Sequence, residues 1–360
     1  MTATWPWPVG AATGVGSLPG TDPVEAAKTV FGELPDLPHA PELPERGPGA
    51  DMLGRTAALL VDLPVELYAG SWRLASRSGV DRRRALDMWE RDLDAMAEVA
   101  ADYSGPVKLQ VCGVWTLAAG LELANGSRVL RDPGACRDLA DSLAEGIKGY
   151  LADMRGRLPE AELLLQVDEP SLPAVLAGTV RTESGLYTYP PVEEQRVVEV
   201  LRSVVDAAGT GVVFHCCAPH PPVGLFRDAG ATAVSIDLTL LENAESAELD
   251  ALGEVVDAGV GLFAGVVPSR PVRGALAAPT IPEPSPEARP MSATGSTSTA
   301  ARAAADAVMG SWRRLGFPAE RAAAQVVVTP TCGLAGADPH YARRAMAVCV
   351  EAGHRLADTS

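Results

Sequence analysis

Val212-Val213-Phe214-His215-Cys216-Cys217 opens as an apolar run and closes on an imidazole and two thiols. Preceded by Gly209 and Gly211, it reads as a buried strand that delivers soft nitrogen and sulfur donors at its end, the donor set that zinc takes. On an extended backbone alternate side chains share a face, so His215 and Cys217 are the pair expected to reach one ion, with Cys216 turned away. Far downstream, Val326-Val327-Val328-Thr329-Pro330-Thr331-Cys332-Gly333 repeats the arrangement, an apolar run followed by a thiol and a glycine. Between them, Ala233-Val234-Ser235-Ile236-Asp237 puts a carboxylate at the end of another run. His215, Cys217, Asp237 and Cys332 are therefore candidate zinc ligands. The plainer alternative is a set of buried cysteines and a satisfied core histidine. It explains one such residue better than it explains several at equivalent strand ends. Asp237 also reads as a loop cap.

Donors that lie so far apart in the chain can meet only if their strand ends converge. Working outward, Ala12 to Gly20 reads as a first strand ending on Ser17, followed by a helix to Phe31 that Asp22 caps and Pro23 begins. Leu34 to Pro48 is studded with prolines and reads as an ordered surface loop, with Asp62 to Tyr68 as a second strand. Pro106 to Cys112 and Leu163 to Val167 are the third and fourth strands, the latter ending in Asp168-Glu169-Pro170. The strands of His215 and Asp237, then Val260 to Ala264, then the strand of Cys332 complete a set of eight. Helical segments follow them: Asp81 to Asp102, Pro133 to Leu158, Val192 to Ala208, Pro222 to Ala229, Ser246 to Asp257, Thr297 to Leu315 and Pro339 to Ala357.

This alternation predicts an α/β fold, a single (β/α)8 TIM barrel over residues 1–360 with a Pro-rich insertion at about 267–296. Parallel strands all finish on one face of such a barrel, so Ser17, Asp168, Glu169, His215, Cys217, Asp237 and Cys332 would share one mouth. A doubly wound sheet would spread the same ends along a line. The insertion reads either as a mobile excursion or as a lid over the mouth.

Composition narrows the function classes. With 47% hydrophobic and 21% charged residues the chain is globular, and no apolar run approaches the ~20 residues of a membrane span. The start, Met1 to Pro8, lacks the basic region and apolar core of a signal peptide, so the expected location is cytoplasmic. Six cysteines, two of them adjacent, fit reduced thiols rather than a disulfide framework. A formal charge of -16 disfavours nucleic acid and anionic membrane as partners. Arg73, Arg77, Arg82, Arg83 and Arg84 read first as a solvated loop and helix start, and second as an anion-capturing patch.

Two thiolates, a carboxylate and a neutral imidazole would give zinc a net negative centre. Such a centre activates water poorly, but it holds a further thiolate and keeps its sulfur nucleophilic. Alkyl transfer to sulfur is the matching chemistry, with a closed structural zinc as the rival.

Gly16-Ser17-Leu18-Pro19, Val167-Asp168-Glu169-Pro170-Ser171-Leu172, His215-Cys216-Cys217, Ser235-Ile236-Asp237 and Cys332-Gly333-Leu334 occur in the order seen in cobalamin-independent methionine synthase. The chain resembles the catalytic C-terminal barrel of that family, which belongs with uroporphyrinogen-decarboxylase-like barrels. The resemblance implies zinc on His215, Cys217 and Cys332, with Asp237 where the family has a glutamate. It implies that Ser17, Asp168 and Glu169 hold the amino acid part of homocysteine, Asp168 and Glu169 being the catalytic candidates. Trp115 is a candidate for stacking on a pterin, against a core or rim position.

Two departures from the family accompany these matches. Gly265-Val266-Val267-Pro268-Ser269 carries no titratable side chain where the family has a His-Ser-Pro segment, and of the residues after the second strand only Glu66 and Tyr68 stand near the place of a substrate-binding glutamate. The implied function is zinc-dependent methyl transfer from 5-methyltetrahydrofolate to homocysteine, with a small-molecule thiol and a methyl donor as partners. The alternatives are a different donor, such as a methylated corrinoid protein, and a non-catalytic zinc- or thiol-binding barrel.

Overall fold

The computed structural model of the protein describes residues 5–241, 246–271 and 294–358. A short antiparallel hairpin, β1 (Val65–Tyr68) and β2 (Ser71–Leu74), stands apart from the main sheet. That sheet has six parallel strands in sequence order: β3 (Pro106–Cys112), β4 (Glu162–Asp168), β5 (Gly211–Cys216), β6 (Ala233–Asp237), β7 (Gly261–Val267) and β8 (Val326–Pro330). Helices lie between and after them, among them Pro133–Arg157, Glu194–Ala208, Ser246–Asp257, Thr294–Arg314 and Pro339–Asp358. Parallel neighbours require such crossovers, and strict sequence order with a common direction is the TIM-like pattern.

Two further stretches continue the sheet at its edges through isolated parallel bridges, Ala12 to Val328, Ser17 to Glu42 and His39 to Lys108. The first stretch hydrogen-bonds to β8 through Thr13 N–H on Val328 O at 3.1 Å and Val328 N–H on Ala11 O at 3.1 Å. The second bonds to β3 through Ala40 N–H on Lys108 O and Lys108 N–H on Pro38 O, each 2.9 Å. Between the stretches, Leu18 N–H donates to Glu42 O at 2.8 Å and Glu42 N–H to Gly16 O at 3.1 Å.

These contacts correct two expectations. Asp62 to Tyr68 does not supply a strand to the main sheet, because β1 is taken up by its hairpin with β2. Its place is filled from the proline-rich segment expected to be a surface loop, in which Leu37 to Leu43 are all buried. The prolines stand where no donor is needed. Pro38 contributes only its carbonyl, and Pro41 separates Ala40, bonded to β3, from Glu42, bonded to the first stretch.

Strand alternation divides the interior in two. On the outward faces, residues such as Val107, Leu109, Leu165, Val212, Phe214, Val234 and Val328 pack under the helices, and Phe214 stacks on Phe226 of the helix Val223–Asp228 at 4.9 Å between centroids. Each such side chain, once fully buried, stabilises the fold by about 1.5–3 kcal/mol. On the inward faces Leu164, Val213, Ala233, Phe263 and Val327 meet Trp7, Ala11 and Leu37 in a separate apolar cluster. Further along the same strands the inward residues turn polar: Lys108 and Gln110 on β3, Gln166 and Asp168 on β4, His215 on β5, Ser235 on β6 and Thr329 on β8 are all buried.

Local signals place the helices. Asp22 Oδ1 accepts from Val24 N–H and Glu25 N–H ahead of Pro23, and Asp132 caps Pro133–Arg157 in the same way. Gly209 ends Glu194–Ala208 at φ 56°, a left-handed conformation that turns the chain directly into β5. Most of the Pro-rich insertion, residues 272–293, lies outside the described residues. Among the described residues no helix is long and apolar enough to cross a membrane.

Candidate metal centre

His215 and Ser235 are register partners on β5 and β6, so their side chains leave the sheet on the same inward face. His215 Nδ1 lies 2.9 Å from Ser235 Oγ, while its Nε2 is buried without a partner. Cys216, next in sequence, is 0% exposed and packs in the outer, helix-facing core, as alternation predicts. Cys217 follows immediately and comes back to the inner side, 3.1 Å in Sγ–Sγ distance from Cys332 just beyond β8. One donor atom each from His215, Cys217 and Cys332 all lie within 4.8 Å of one another.

The electrostatics of the trio suit a cation. The hydrogen bond from Cys217, with the His215 imidazole alongside, holds the Cys332 thiol down at about 4, while Cys217, the partner that keeps the proton, is pushed well up. Two cysteine sulfurs that can lose their protons to a metal and a buried imidazole nitrogen without a hydrogen-bond partner are a donor set that fits zinc. Were Nε2 to give its lone pair to a metal, Nδ1 would carry the proton and donate to Ser235 Oγ, which would fix the ring's tautomer and orientation.

Asp237 ends β6 outside this group of three. Its Oδ1 accepts from Thr239 N–H at 2.9 Å and Thr239 Oγ1–H at 2.6 Å, and burial raises its pKa against those bonds. The side chain thus caps the turn after β6, with His215 and Cys332 near enough to affect its charge.

The remaining site residues fall around the same carboxyl edge. Asp168 pairs in register with His215 and is buried; burial raises its pKa to about 6 against the pull of the imidazole. Ser17 O accepts from Leu334 N–H at 2.7 Å, and Ser17 Oγ lies so close to Gly333 that a Cβ there would sit 2.1 Å from it. Glu169 is fully buried with both oxygens engaged: Trp115 N–H donates to Oε1 at 2.9 Å, and Thr116 N–H and Oγ1–H donate to Oε2, each at 2.8 Å. It thereby clamps the start of the helix Val114–Gly120 to the end of β4. Trp115 is 0% exposed, the core position of the two considered, with Arg196 over its ring at 5.7 Å. Glu66 is paired to Arg73 at 2.6 Å on the hairpin, and Arg73 also covers Tyr68.

The sequence reading passed over Lys108, Gln110, Gln166 and His39, all buried polar residues of the inner face. Their signal is period-2 polarity inside apolar runs, Lys108 and Gln110 alternating with Val107, Leu109 and Val111. The role of Ser235 was also missed, since only its register with His215 reveals it.

A parallel α/β sheet whose carboxyl edge gathers an imidazole and two sulfurs defines a TIM-like protein with a cluster of soft donors that could hold a metal ion. The chain belongs to the family described as cobalamin-independent synthase, catalytic domain, which it matches over residues 95–355. It is accordingly a methionine synthase-type enzyme. Among solved structures, a B12-independent methionine synthase from Shewanella sp. W3-18-1, in complex with selenomethionine, superposes with a TM-score of 0.60 at 10% identity, over 98% of this chain and 99% of that one. At that identity the likeness speaks for the fold alone. A putative dihydrodipicolinate synthetase from Pseudomonas aeruginosa gives a TM-score of 0.40 at 11% identity, over 97% of this chain and 77% of the other. No curated protein sequence matches the chain.

Proposed function

We propose that the protein is a zinc-dependent S-methyltransferase that moves a methyl group from 5-methyltetrahydrofolate to the thiol of homocysteine. The observation that carries this reading is the buried, unpartnered His215 Nε2, grouped with the Cys217 and Cys332 sulfurs within 4.8 Å. In this reading the six strands and two edge stretches form a complete (β/α)8 barrel over the whole chain, with the Pro-rich insertion at about 267–296 falling in sequence between the seventh strand and its helix. The three bridges that link Ala12, Ser17 and His39 into the sheet support that view.

Zinc bound by these residues would lower the pKa of the acceptor thiol while leaving its sulfur electron-rich. His215, Cys217 and Cys332 hold the ion, and Asp237 is the proposed fourth ligand. Asp168 takes the ammonium of homocysteine and Ser17 lies beside its carboxylate. Glu169 acts from behind, fixing the backbone of Trp115 and Thr116. As the methyl group passes, its bond to the donor nitrogen breaks, the bond to sulfur forms, and the nitrogen must gain a proton. Both substrates are small molecules, and a charge of -16 suits neither nucleic acid nor an anionic membrane. The expected location is cytoplasmic.

One observation favours a second reading of the donor. Residues 265–269 offer no titratable side chain to protonate a folate nitrogen, and Ser269 N–H is occupied with Thr331 Oγ1 at 3.3 Å. A methylated corrinoid protein, whose cobalt leaves without needing a proton, would suit that segment. Methyl transfer measured with zinc-loaded protein, homocysteine and each donor in turn tests both. Transfer from methyltetrahydrofolate supports the first reading and transfer from methylcorrinoid only supports the second. No transfer from either leaves a zinc- or thiol-binding barrel.

A further inference from the structure

Lys108 is 0% exposed at the centre of the inner face, where its Nζ donates to Gln166 Oε1 at 2.7 Å and to Val15 O at 2.9 Å. An ammonium has only donors, so the Gln166 amide must turn its oxygen towards Lys108. Its Nε2 then faces two acceptors, donating to Asp168 Oδ1 at 2.6 Å and to Val15 O at 2.9 Å. The flipped amide would set its amino group against the ammonium and its oxygen against a carboxylate and a carbonyl. Only one orientation satisfies all four groups.

The geometry points to Lys108 and Gln166 as positioning residues that latch the Asp168 carboxylate in place to receive an ammonium group, making the site selective for amino-acid thiols over thiols without an amino group. The inference rests on the reading that Asp168 takes the amino group of the acceptor. Asp168 is held by one oxygen from below, level with His215 across β4 and β5. Val15, which accepts from both members of the latch, lies two residues before Ser17, so the same bonds fix the main chain that carries the serine. Lys108 itself stands one turn of alternation deeper than Gln110 and touches neither sulfur nor imidazole in any of its hydrogen bonds.

The test compares homocysteine with 4-mercaptobutyrate, the same thiol lacking the amino group, in calorimetric titrations of the full-length protein. Wild type is expected to bind homocysteine at least about tenfold more tightly, as one charge-assisted hydrogen bond gives. K108M should lose most of that preference by weakening homocysteine alone, with 4-mercaptobutyrate binding unchanged. Q166L should do the same, and the double variant should lose no more than either single, because the two residues act as one unit. General damage to the barrel would weaken both thiols alike, and that result overturns the inference. So does a K108M protein that keeps the wild-type preference, or effects of the two substitutions that add. A wild type without any preference overturns instead the underlying reading of Asp168, and the latch with it.

Discussion

Ser235 carries no charge and no donor atom that zinc favours, yet it is the hydrogen-bond partner of His215 Nδ1. With Oγ 2.9 Å from Nδ1, it can accept a hydrogen bond from that nitrogen, which in the zinc-bound reading leaves Nε2 to the cluster. Ser235→Ala removes this partner without touching a ligand, and zinc affinity should fall about 10- to 100-fold, measured by competition with a chromogenic chelator. Unaltered affinity would mean that the ring is held by packing alone. The proposed ligands predict a sharper split. Cys217→Ser and Cys332→Ser should abolish stoichiometric zinc in metal analysis, whereas Cys216→Ser, whose side chain lies in the outer core, should keep it.

Asp237 stands where the resemblance implies a glutamate. If its carboxylate joins the ion, Asp237→Asn weakens the negative charge of the centre and should lower the methyl-transfer rate more than the zinc content. Asp237→Glu should preserve both. An Asn variant with unchanged rate and metal content would leave Asp237 as the cap of Thr239 that its hydrogen bonds describe. At this scale the sequence was legible where chemistry is rare: His215, Cys217 and Cys332 stood out because a histidine and thiols seldom end apolar runs. Lys108 and Gln166 did not, because a single lysine in a strand reads as an exposed residue until its neighbours are known.

Among the elements, β3 to β8 were legible because their outward faces are nearly continuous Val, Leu and Phe, and the residues expected for the third strand, Pro106 to Cys112, are those of β3. The stretch from Pro38 to Leu43 was not. Its prolines argue against a strand, and only the hydrogen bonds of Ala40 and Glu42 on either side of Pro41 show how such a segment can fill a place in the sheet. The Asp62 to Tyr68 stretch was misplaced for the converse reason, since its β-like composition suits a hairpin as well as a barrel strand. Close approach of elements also makes a prediction at Gly333, where the loop after β8 passes the Ser17 stretch. A Cβ there would lie 2.1 Å from Ser17 Oγ, so Gly333→Ala must push the loop or turn the serine. It should cost about 1–3 kcal/mol in urea unfolding and weaken zinc binding through the displaced Cys332. A stable variant with normal zinc affinity would show that the serine simply rotates away.

Across the whole molecule the inner faces of the strands run from an apolar cluster around Phe263 and Trp7 to a polar layer around Lys108 and on to the sulfurs at the carboxyl edge. The alternation and common direction of β3 to β8 could be read from the chain, but that the Pro38 to Leu43 stretch would flank this sheet could not, because it attaches only through isolated bridges. The central claim, a zinc ion that accepts a substrate thiol, is tested most directly by zinc-edge X-ray absorption of the loaded protein before and after homocysteine is added. The account predicts two sulfur neighbours at ~2.3 Å with a nitrogen at ~2.0 Å, and a third sulfur on adding the thiol. A shell of oxygen and nitrogen alone, or one that homocysteine leaves unchanged, would contradict it.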